Sequence, residues 1–312
     1  MSRILGGILL LAVLVAGAFW LLSGPDIPRA TLEAKYAKPP SEFIMLPDGA
    51  RAHVRDRGPR NATALVLIHG SNASLFTWEP WAKRLQNQCR VVTLDMPGHG
   101  LTGAVPNKDY SLEGMVKFTL EVVDELGLHR FALGGNSMGG AVAARFAEEH
   151  PDRVSHLILV DAGGMPSKNG TRIPLAFRLA RMPLLNRILL HITPRSLVVE
   201  GLNDAIVHKK IITRRMVDMY WDFARMAGTR EATLIRFRLP MDSAVKDHIG
   251  DIKAPTLILW GKQDGLIPVE TADKFHAAIS GSKEIVYPNT GHIPQEEVAD
   301  QSAADVRAFL NH

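Results

Sequence analysis

Short apolar runs alternate with helical patterns along most of this chain of 312 residues. The apolar runs lie at residues 64–68, 91–94, 131–133, 157–160, 256–260 and 284–286. The helical patterns occupy residues 78–86, 112–126, 141–149, 271–279 and 298–310. Strands that alternate with helices favour a mainly parallel sheet that is covered by helices on both faces. The sequence therefore predicts an α/β fold.

Two segments depart from this alternation. Strand patterns at residues 43–45 and 52–56, joined by the turn sequence PDG, predict an antiparallel hairpin at the edge of the sheet. Residues 165–246 have no clear strand but carry helical patterns, prolines at positions that include 166, 174, 183 and 194, and many apolar residues. We expect this insertion to form a helical cap that lines part of an apolar substrate pocket. The α/β core is then expected to comprise residues 42–164 and 247–312.

The N-terminal stretch from residue 4 to residue 22 is apolar and uncharged. At about 1.5 Å per residue, a helix of this length just crosses a hydrocarbon core of about 30 Å. We predict that residues 1–22 form a single-pass membrane anchor. The alternative is a cleaved signal peptide, for which residues 16–18 offer a small-residue cleavage site. The anchor is favoured because the apolar run continues past that site and includes Trp20, which suits a membrane interface.

The Pro-rich, polar residues 23–41 are predicted to link the anchor to the folded domain. Positive charges lie on both sides of the anchor, with Arg3 before it and Arg29, Lys35 and Lys38 after it. Counting them leaves the orientation open. For a bacterial chain, the catalytic domain is expected on the exported, periplasmic face.

Composition excludes several other classes of protein. The net charge is only +4, and the basic residues are scattered without interleaved aromatic residues, so nucleic-acid binding is not expected. Cys89 is the only cysteine, so an internal disulfide is ruled out. We expect Cys89 to be a buried apolar residue. Histidine and cysteine show no ligand spacing, so no metal site or cofactor is predicted.

The sequence GNSMGG at residues 135–140 follows a predicted strand and begins a predicted helix. Its glycines permit the sharp turn that raises the Ser137 hydroxyl above the carboxyl edge of a sheet. The helix N-terminus behind the serine favours negative charge. A glycine-rich connection that binds a phosphate, or nothing, is the alternative interpretation. We take Ser137 as the candidate nucleophile.

A serine hydroxyl is a weak nucleophile, so it needs a histidine base that is oriented by an acid. Chains with this turn carry them in the order serine, acid, histidine. Asp264 directly follows the strand at residues 256–260, and His292 lies in the loop after residues 284–286. The carboxyl ends of parallel strands meet at one edge of the sheet, where Ser137 also lies. We predict that Ser137, Asp264 and His292 form a catalytic triad.

A second carboxylate competes for the role of the acid. Asp161 also ends a predicted strand, and some hydrolases take their acid from that position. We favour Asp264 and expect Asp161 to accept hydrogen bonds that organise the loop into the cap.

The sequence HGSN at residues 69–72 follows the first parallel strand. Acyl transfer needs two N–H donors where the carbonyl oxygen becomes an anion. We assign these donors to the backbone of Met138 and of Ser71, with Asn72 as the second choice for the early loop. His69 is expected to brace the loop, because its position in the chain is wrong for the base.

Together these segments resemble the α/β-hydrolase superfamily. The resemblance extends from about residue 43 to residue 310 and rests on five segments, namely HG at 69–70, DMPGHG at 95–100, GNSMGG at 135–140, WGKQD at 260–264 and GH at 291–292. It implies the α/β-hydrolase fold, with a helical cap inserted into the core.

Within the superfamily, the N-terminal anchor and the 260–264 segment are similar to membrane-anchored monoacylglycerol lipases and related bacterial lipases. The GNSMGG segment is also similar to hydrolases that cleave C–C bonds in ring-fission products. Epoxide hydrolases and haloalkane dehalogenases resemble a pattern with aspartate at the position of Ser137, so they fit less well.

The expected activity is hydrolysis of carboxylic esters, of the carboxylesterase or lipase type, through an acyl-enzyme and without a cofactor. The expected partners are a small apolar or lipid-like ester and the membrane, the latter through the N-terminal segment. The alternatives are a C–C bond hydrolase and a non-catalytic ligand-binding protein. The complete triad argues against the second alternative, because a binding protein has no need of the base and the acid.

Overall fold

The computed structural model describes residues 24–166, 191–239 and 247–311, together with residues 6, 7, 13, 17, 182 and 245. The strands are β1 Ser41–Met45, β2 Arg51–Arg57, β3 Ala64–Ile68, β4 Arg90–Leu94, β5 Phe131–Asn136, β6 Val154–Val160, β7 Thr256–Gly261 and β8 Lys283–Tyr287. The helices are α1 Arg29–Tyr36, α2 Glu79–Leu85, α3 Leu112–Glu125, α4 Met138–Glu149, α5 Arg195–Ala205, α6 Arg214–Ala224, α7 Thr229–Arg236, α8 Glu270–Ala278, α9 Pro294–Glu297 and α10 Ala299–Leu310. Short 3₁₀ helices occur at Leu75–Trp78, Lys209–Ile211 and Ile249–Asp251.

The eight strands form one sheet in the order β1-β2-β4-β3-β5-β6-β7-β8. Strands β3 to β8 are mutually parallel, whereas β1 pairs antiparallel with β2, and β2 pairs antiparallel with β4. Every residue of β3, β4, β5 and β7 is buried, as expected for strands that are covered on both faces. The predicted α/β fold and its antiparallel edge hairpin are therefore confirmed.

Apolar clusters on the two faces of the sheet hold the helices in place. One cluster includes side chains of α3, α4 and α8, for example Val122, Phe146 and Phe275. The other includes Trp81 of α2, and Val306 and Phe309 of α10. Cys89 belongs to this second cluster and is buried, which agrees with its expected role as an apolar residue.

The strand order fixes where a ligand site can form. The chain passes from β3 to β4 on one side of β3, and then returns to β5 on the other side. The loops that follow β3 and β5 therefore leave the sheet in opposite directions and open a crevice at its carboxyl edge, where open α/β sheets bind ligands. These are the loops that contain the HGSN and GNSMGG segments.

The described part of the predicted cap, residues 191–239, contains helices α5, α6 and α7 and no strand. Most of the remaining cap residues, 167–181, 183–190, 240–244 and 246, lie outside the described residues. Helix α7 is joined firmly to the core, because Ala232 is buried within the main apolar cluster. The exact division between core and cap stays a prediction.

The predicted linker contains a helix that the sequence analysis did not anticipate. Leu32 of α1 is almost fully buried in a cluster with Leu101, Phe223 and Met226. Lys35 Nζ also donates to Asp222 Oδ2 at 2.6 Å. The sequence RATLEAKY is short and mostly polar, so its helical character depends on these distant contacts. Residues 24–40 are thus packed against α6 rather than extended.

The predicted anchor, residues 1–22, lies outside the described residues except at positions 6, 7, 13 and 17. Among the helices that the structure describes, none combines the length and the apolar character needed to cross a membrane.

Candidate active site

Ser137 lies at the turn between β5 and α4, with φ 55° and ψ −119°. A non-glycine residue in this region of φ is strained, and such strain is common at functional sites. The turn depends on its glycines. A Cβ atom added at Gly135 would lie 2.0 Å from the Gly139 carbonyl oxygen, and one added at Gly139 would lie 2.2 Å from that of Ile68. The chain can double back here only because these side chains are absent.

Asp264 and His292 form a buried pair at the carboxyl edge of the sheet. Asp264 Oδ2 accepts a hydrogen bond from His292 Nδ1 at 2.7 Å, and the two side chains are 0% and 6% exposed. The other oxygen, Oδ1, accepts from the backbone N–H groups of Leu266 and Ile267 at 2.7 and 3.1 Å. These bonds fix the carboxylate, which in turn holds the proton on Nδ1 and leaves Nε2 of the imidazole free to accept one.

Asn136, which directly precedes the serine, ties the histidine loop to the elbow. Its Nδ2 donates to the carbonyl oxygens of His292 and Val160, at 3.0 and 3.1 Å. Ser137 and His292 are thereby held on neighbouring loops. In the structure, the Ser137 hydroxyl makes no hydrogen bond to His292. Catalytic hydrogen bonds of unliganded sites are often loose and tighten only when substrate binds.

The histidine loop is also fixed to the cap. The His292 N–H donates to the Ala205 carbonyl at the end of α5, at 2.7 Å. Glu297 links the same two regions, because Oε1 accepts from the N–H of Gly291 at 2.8 Å, while Oε2 accepts from those of Val207 and His208 at 2.9 and 2.8 Å. The position of the histidine therefore depends on both the core and the cap.

Asp161 lies next to this pair but makes a different contact. It is fully buried and has φ 43°, and its Oδ1 accepts from the Gly261 N–H at 2.9 Å. Asp161 is thus bonded to the end of β7, and its expected role in the loop into the cap stays a prediction, because that loop lies outside the described residues from residue 167 onward. Burial, and secondarily the charge of Asp264, raise the pKa of Asp161 well above its usual range. The imidazole of His292 is paired with Asp264, not with Asp161.

Ligand atoms of Asp161, Asp264 and His292 lie within 4.8 Å of one another, so they could also surround a metal ion. However, both Asp264 oxygens and His292 Nδ1 are already used in the hydrogen bonds described above. The arrangement is explained by an acid that orients a base.

The early loop lies directly against the nucleophile. A Cβ atom added at Gly70 would lie 3.1 Å from Ser137 Cβ. The loop turns at Asn72, which has φ 59°, and the turn is closed by a hydrogen bond from the Ala73 N–H to the Gly70 carbonyl at 3.2 Å. Met138 begins α4 on the opposite side of the serine. The predicted donors, Ser71 and Met138, are therefore brought to the same place, and their role stays a prediction.

His69 is positioned as a brace for this loop. Its Nδ1 donates to the Gly70 carbonyl at 2.7 Å, and its Nε2 accepts from the Met96 N–H at 3.1 Å. Burial lowers the pKa of this imidazole, so it stays neutral. With both nitrogens engaged, His69 has no nitrogen available as a base.

Three residues of the site were not assigned by the sequence analysis, namely Asn136, Arg236 and Glu297. Asn136 lies inside the GNSMGG segment, and Glu297 follows His292 by five residues. Their closeness in sequence to the predicted nucleophile and base could have marked both as residues of the site. Arg236 lies in no motif and reaches the site only because α7 packs on the core. No feature of the sequence marks it.

A doubly covered parallel sheet with a serine elbow and a buried Asp–His pair at its carboxyl edge is the arrangement of the α/β hydrolases. Residues 65–306 match the profile of the alpha/beta hydrolase family. The chain belongs to this family and is a hydrolase.

Relatives of different activity match most of the chain. A 2-hydroxy-6-oxononadienedioate/2-hydroxy-6-oxononatrienedioate hydrolase of Klebsiella pneumoniae is 29% identical over 86% of this chain and 95% of its own length. The monoacylglycerol lipase abhd6-A of Xenopus laevis is 28% identical over 81% of this chain and 77% of its own length. Among solved structures, a bacterial membrane phospholipase A superposes with a TM-score of 0.76 and 25% identity, covering 100% of this chain and 98% of that one.

Proposed function

We propose that this hydrolase is a serine esterase that cleaves carboxylic esters of apolar or lipid-like substrates. The observation that carries the proposal is the 2.7 Å hydrogen bond between Asp264 and His292, on a loop that Asn136 ties to the Ser137 elbow. A nucleophile, a base and an orienting acid are the parts that acyl transfer requires.

In this mechanism, the Ser137 Oγ attacks the ester carbonyl while His292 Nε2 takes its proton. Asp264 holds the imidazole and stabilises its charged form. The backbone N–H groups of Ser71 and Met138 bind the oxyanion of the tetrahedral intermediate. The protonated His292 then gives its proton to the leaving alcohol. Water, activated by the same imidazole, attacks the acyl-enzyme and releases the carboxylic acid.

The cap side of the site supports an apolar substrate. Ile293, directly after the histidine, packs in an apolar cluster with Leu202, Ile206, Met216 and Val217 of the predicted cap. An apolar cap beside the base favours an apolar substrate, because ligand sites are lined mainly by apolar side chains. The names of two similar proteins, a monoacylglycerol lipase and a membrane phospholipase A, also favour lipid esters.

A C–C bond hydrolase is the second candidate. It is favoured by the Klebsiella relative, because the match to this chain extends over 95% of that relative's length.

We expect kcat/KM for p-nitrophenyl esters to rise with acyl length from acetate to decanoate. A monoacylglycerol should also be hydrolysed, and 2-hydroxy-6-oxononadienedioate should be turned over at least a hundredfold more slowly than the best ester. Faster cleavage of the dienedioate than of any ester would replace the esterase proposal by the C–C hydrolase.

We further propose that residues 1–22 anchor the enzyme in a membrane, with the catalytic domain on the exported face if the chain is bacterial. Deletion of residues 1–22 should yield a soluble enzyme whose kcat/KM on a short water-soluble ester changes by less than twofold. Each assigned catalytic position lies beyond residue 68, and the contacts of residues 24–40 are retained. Hydrolysis of a monoacylglycerol embedded in vesicles should fall at least tenfold, because the anchor no longer concentrates the enzyme there.

Deletion of residues 1–37 is the matched comparison, because it also removes α1. Burial of Leu32 and the pairing of Ile27 with Met226 are then lost. Losing one buried leucine typically lowers the free energy of unfolding by about 2–4 kcal/mol, so Tm should fall by more than about 5 °C.

N-terminal sequencing of the full chain from native membranes tests the anchor itself. A mature start near Phe19, with the protein in the soluble fraction, would identify residues 1–22 as a signal peptide instead.

A further inference from the structure

Arg236 is a buried cation with no acidic partner among the described residues. Its residue surface is 4% exposed. Three other arginines of the described residues are similarly buried, and each has a carboxylate: Arg55 pairs with Glu79, Arg90 with Asp56 and Arg230 with Asp26. Within the part of the chain that the structure describes, no carboxylate lies at ion-pair distance from Arg236.

The contacts of Arg236 lie on both sides of the predicted oxyanion site. Its Nη2 donates to Asn72 Oδ1 at 2.7 Å, and its Nη1 donates to Ser71 Oγ. The same Nη1 lies 3.7 Å from Met138 Sδ. The guanidinium therefore contacts the side chains of both residues whose backbone N–H groups we assign to the oxyanion.

The rigid placement of α7 holds the guanidinium in position. Helix α7 begins after Gly228, which has φ 83°, and Ala232 is 1% exposed. A Cβ atom added at Gly98, in the loop after β4, would lie 3.1 Å from Ala232 Cβ. Arg236 lies one turn after Ala232. It belongs to the predicted cap, but the packing of its helix on the core positions its side chain at the early loop. Its planar fork places one Nη group on each of two neighbouring side chains of the early loop, a fixed geometry that the single ammonium of a lysine does not reproduce.

An unpaired buried cation is costly, because taking a guanidinium out of water removes several kcal/mol of hydration. Burial accordingly lowers the pKa of Arg236 to about 9, which still leaves it charged at neutral pH. The cost is offset wherever negative charge appears nearby. In acyl transfer, that charge develops on the substrate oxygen between Ser71 and Met138, and a fixed cation in a low-dielectric site stabilises it strongly.

We propose that Arg236 is a positioning residue of the oxyanion site: its two Nη groups hold the Ser71–Asn72 turn in its left-handed conformation, and its positive charge lies beside the developing oxyanion. This inference rests on the proposed esterase function. It makes the predicted cap a structural part of the oxyanion site rather than only a cover for the substrate.

The test compares three purified variants on p-nitrophenyl butyrate. R236M removes both the charge and the donors, R236K keeps the charge but loses the fork, and R238Q removes an exposed arginine two residues further on. We expect R236M to lower kcat by about 10²-fold, as loss of an oxyanion donor does, with KM changed less than threefold. R236K should fall between R236M and the wild type, and R238Q should match the wild type.

A boronic acid provides a second readout that a merely structural defect would not follow. Butylboronic acid is neutral in solution and becomes a tetrahedral anion when Ser137 Oγ adds to boron and its proton passes to His292 Nε2. Its inhibition constant should therefore rise in R236M and R236K in proportion to their loss of kcat/KM, while circular dichroism at 25 °C stays unchanged. Inhibition by neutral 1-butanol should stay within twofold.

Several results would overturn the inference. One is a folded R236M that keeps wild-type kcat. If R236M does not fold, a folded R236K that keeps wild-type kcat would have the same consequence. Another is a loss confined to KM and to substrates that bear a carboxylate or phosphate, which would make the guanidinium a binding site for a substrate anion. A wild type that hydrolyses no ester would overturn the proposed function together with this inference. An active wild type with unaffected variants overturns this inference alone.

Discussion

Ser137→Ala should lower kcat for ester hydrolysis by a factor on the order of 10⁶, as removal of a triad nucleophile does in other serine hydrolases. Without Oγ there is no atom to form the acyl-enzyme, and the remaining oxyanion donors accelerate only direct attack by water. The measurement is the initial rate of p-nitrophenyl butyrate hydrolysis by the purified variant, with Tm recorded beside it.

The variant should fold, because the Ser137 hydroxyl makes no hydrogen bond to any other residue that the structure describes, and its removal leaves the elbow glycines in place. Ser155→Ala, which removes a serine hydroxyl from β6, is the matched control and should keep wild-type kcat. Retention of a tenth of the activity by the Ser137 variant would remove this residue from the role of nucleophile.

Asp264→Asn should lower kcat by about 10⁴-fold, the effect seen when the acid of a serine triad becomes an amide. An asparagine can present its Nδ2–H to the imidazole and so stabilise the tautomer with the proton on Nε2. That nitrogen then has no lone pair with which to accept the Ser137 proton. The same change also removes the negative charge that stabilises the imidazolium.

Asp161→Asn is the matched comparison and should lower kcat by less than tenfold. Burial raises the pKa of Asp161 well above its usual range, which favours the neutral carboxyl group that an amide of the same shape resembles. Its oxygen can still accept from the Gly261 N–H. Both variants are assayed at pH 7 after their Tm values have been recorded. The reverse ranking would move the acid to the end of β6.

The sequence was sufficient for the fold and for the placement of the Asp–His pair, for a simple physical reason. Ser137, Asp264 and His292 each follow a strand of the parallel set, and the carboxyl ends of such strands share one edge. Their proximity therefore follows from strand positions alone. The hydrogen bond between Asp264 and His292 places Asp264 beside the imidazole, and its role as the catalytic acid stays a prediction.

Features that depend on packing between distant parts of the chain could not be predicted from the sequence. Helix α1 was interpreted as linker because its own residues are mostly polar, and its burial comes from Phe223 and Met226, nearly two hundred residues further along the chain. In the sequence, Arg236 is one of many scattered basic residues. Its contact with the early loop depends on the packing of α7 against the core. The contact of Asp161 with Gly261 likewise depends on the pairing of β6 with β7.

The central claim is that Ser137 is an activated nucleophile, and a fluorophosphonate tests it most directly. The reagent phosphonylates a serine Oγ with loss of fluoride, and only an activated serine reacts rapidly. Intact-mass analysis of the full-length protein should show one adduct, peptide mapping should place it on Ser137, and Ser137→Ala should not react. Failure of the folded wild type to react, or an adduct on any other residue, would contradict the claim and favour a non-catalytic ligand-binding member of the fold or a different nucleophile.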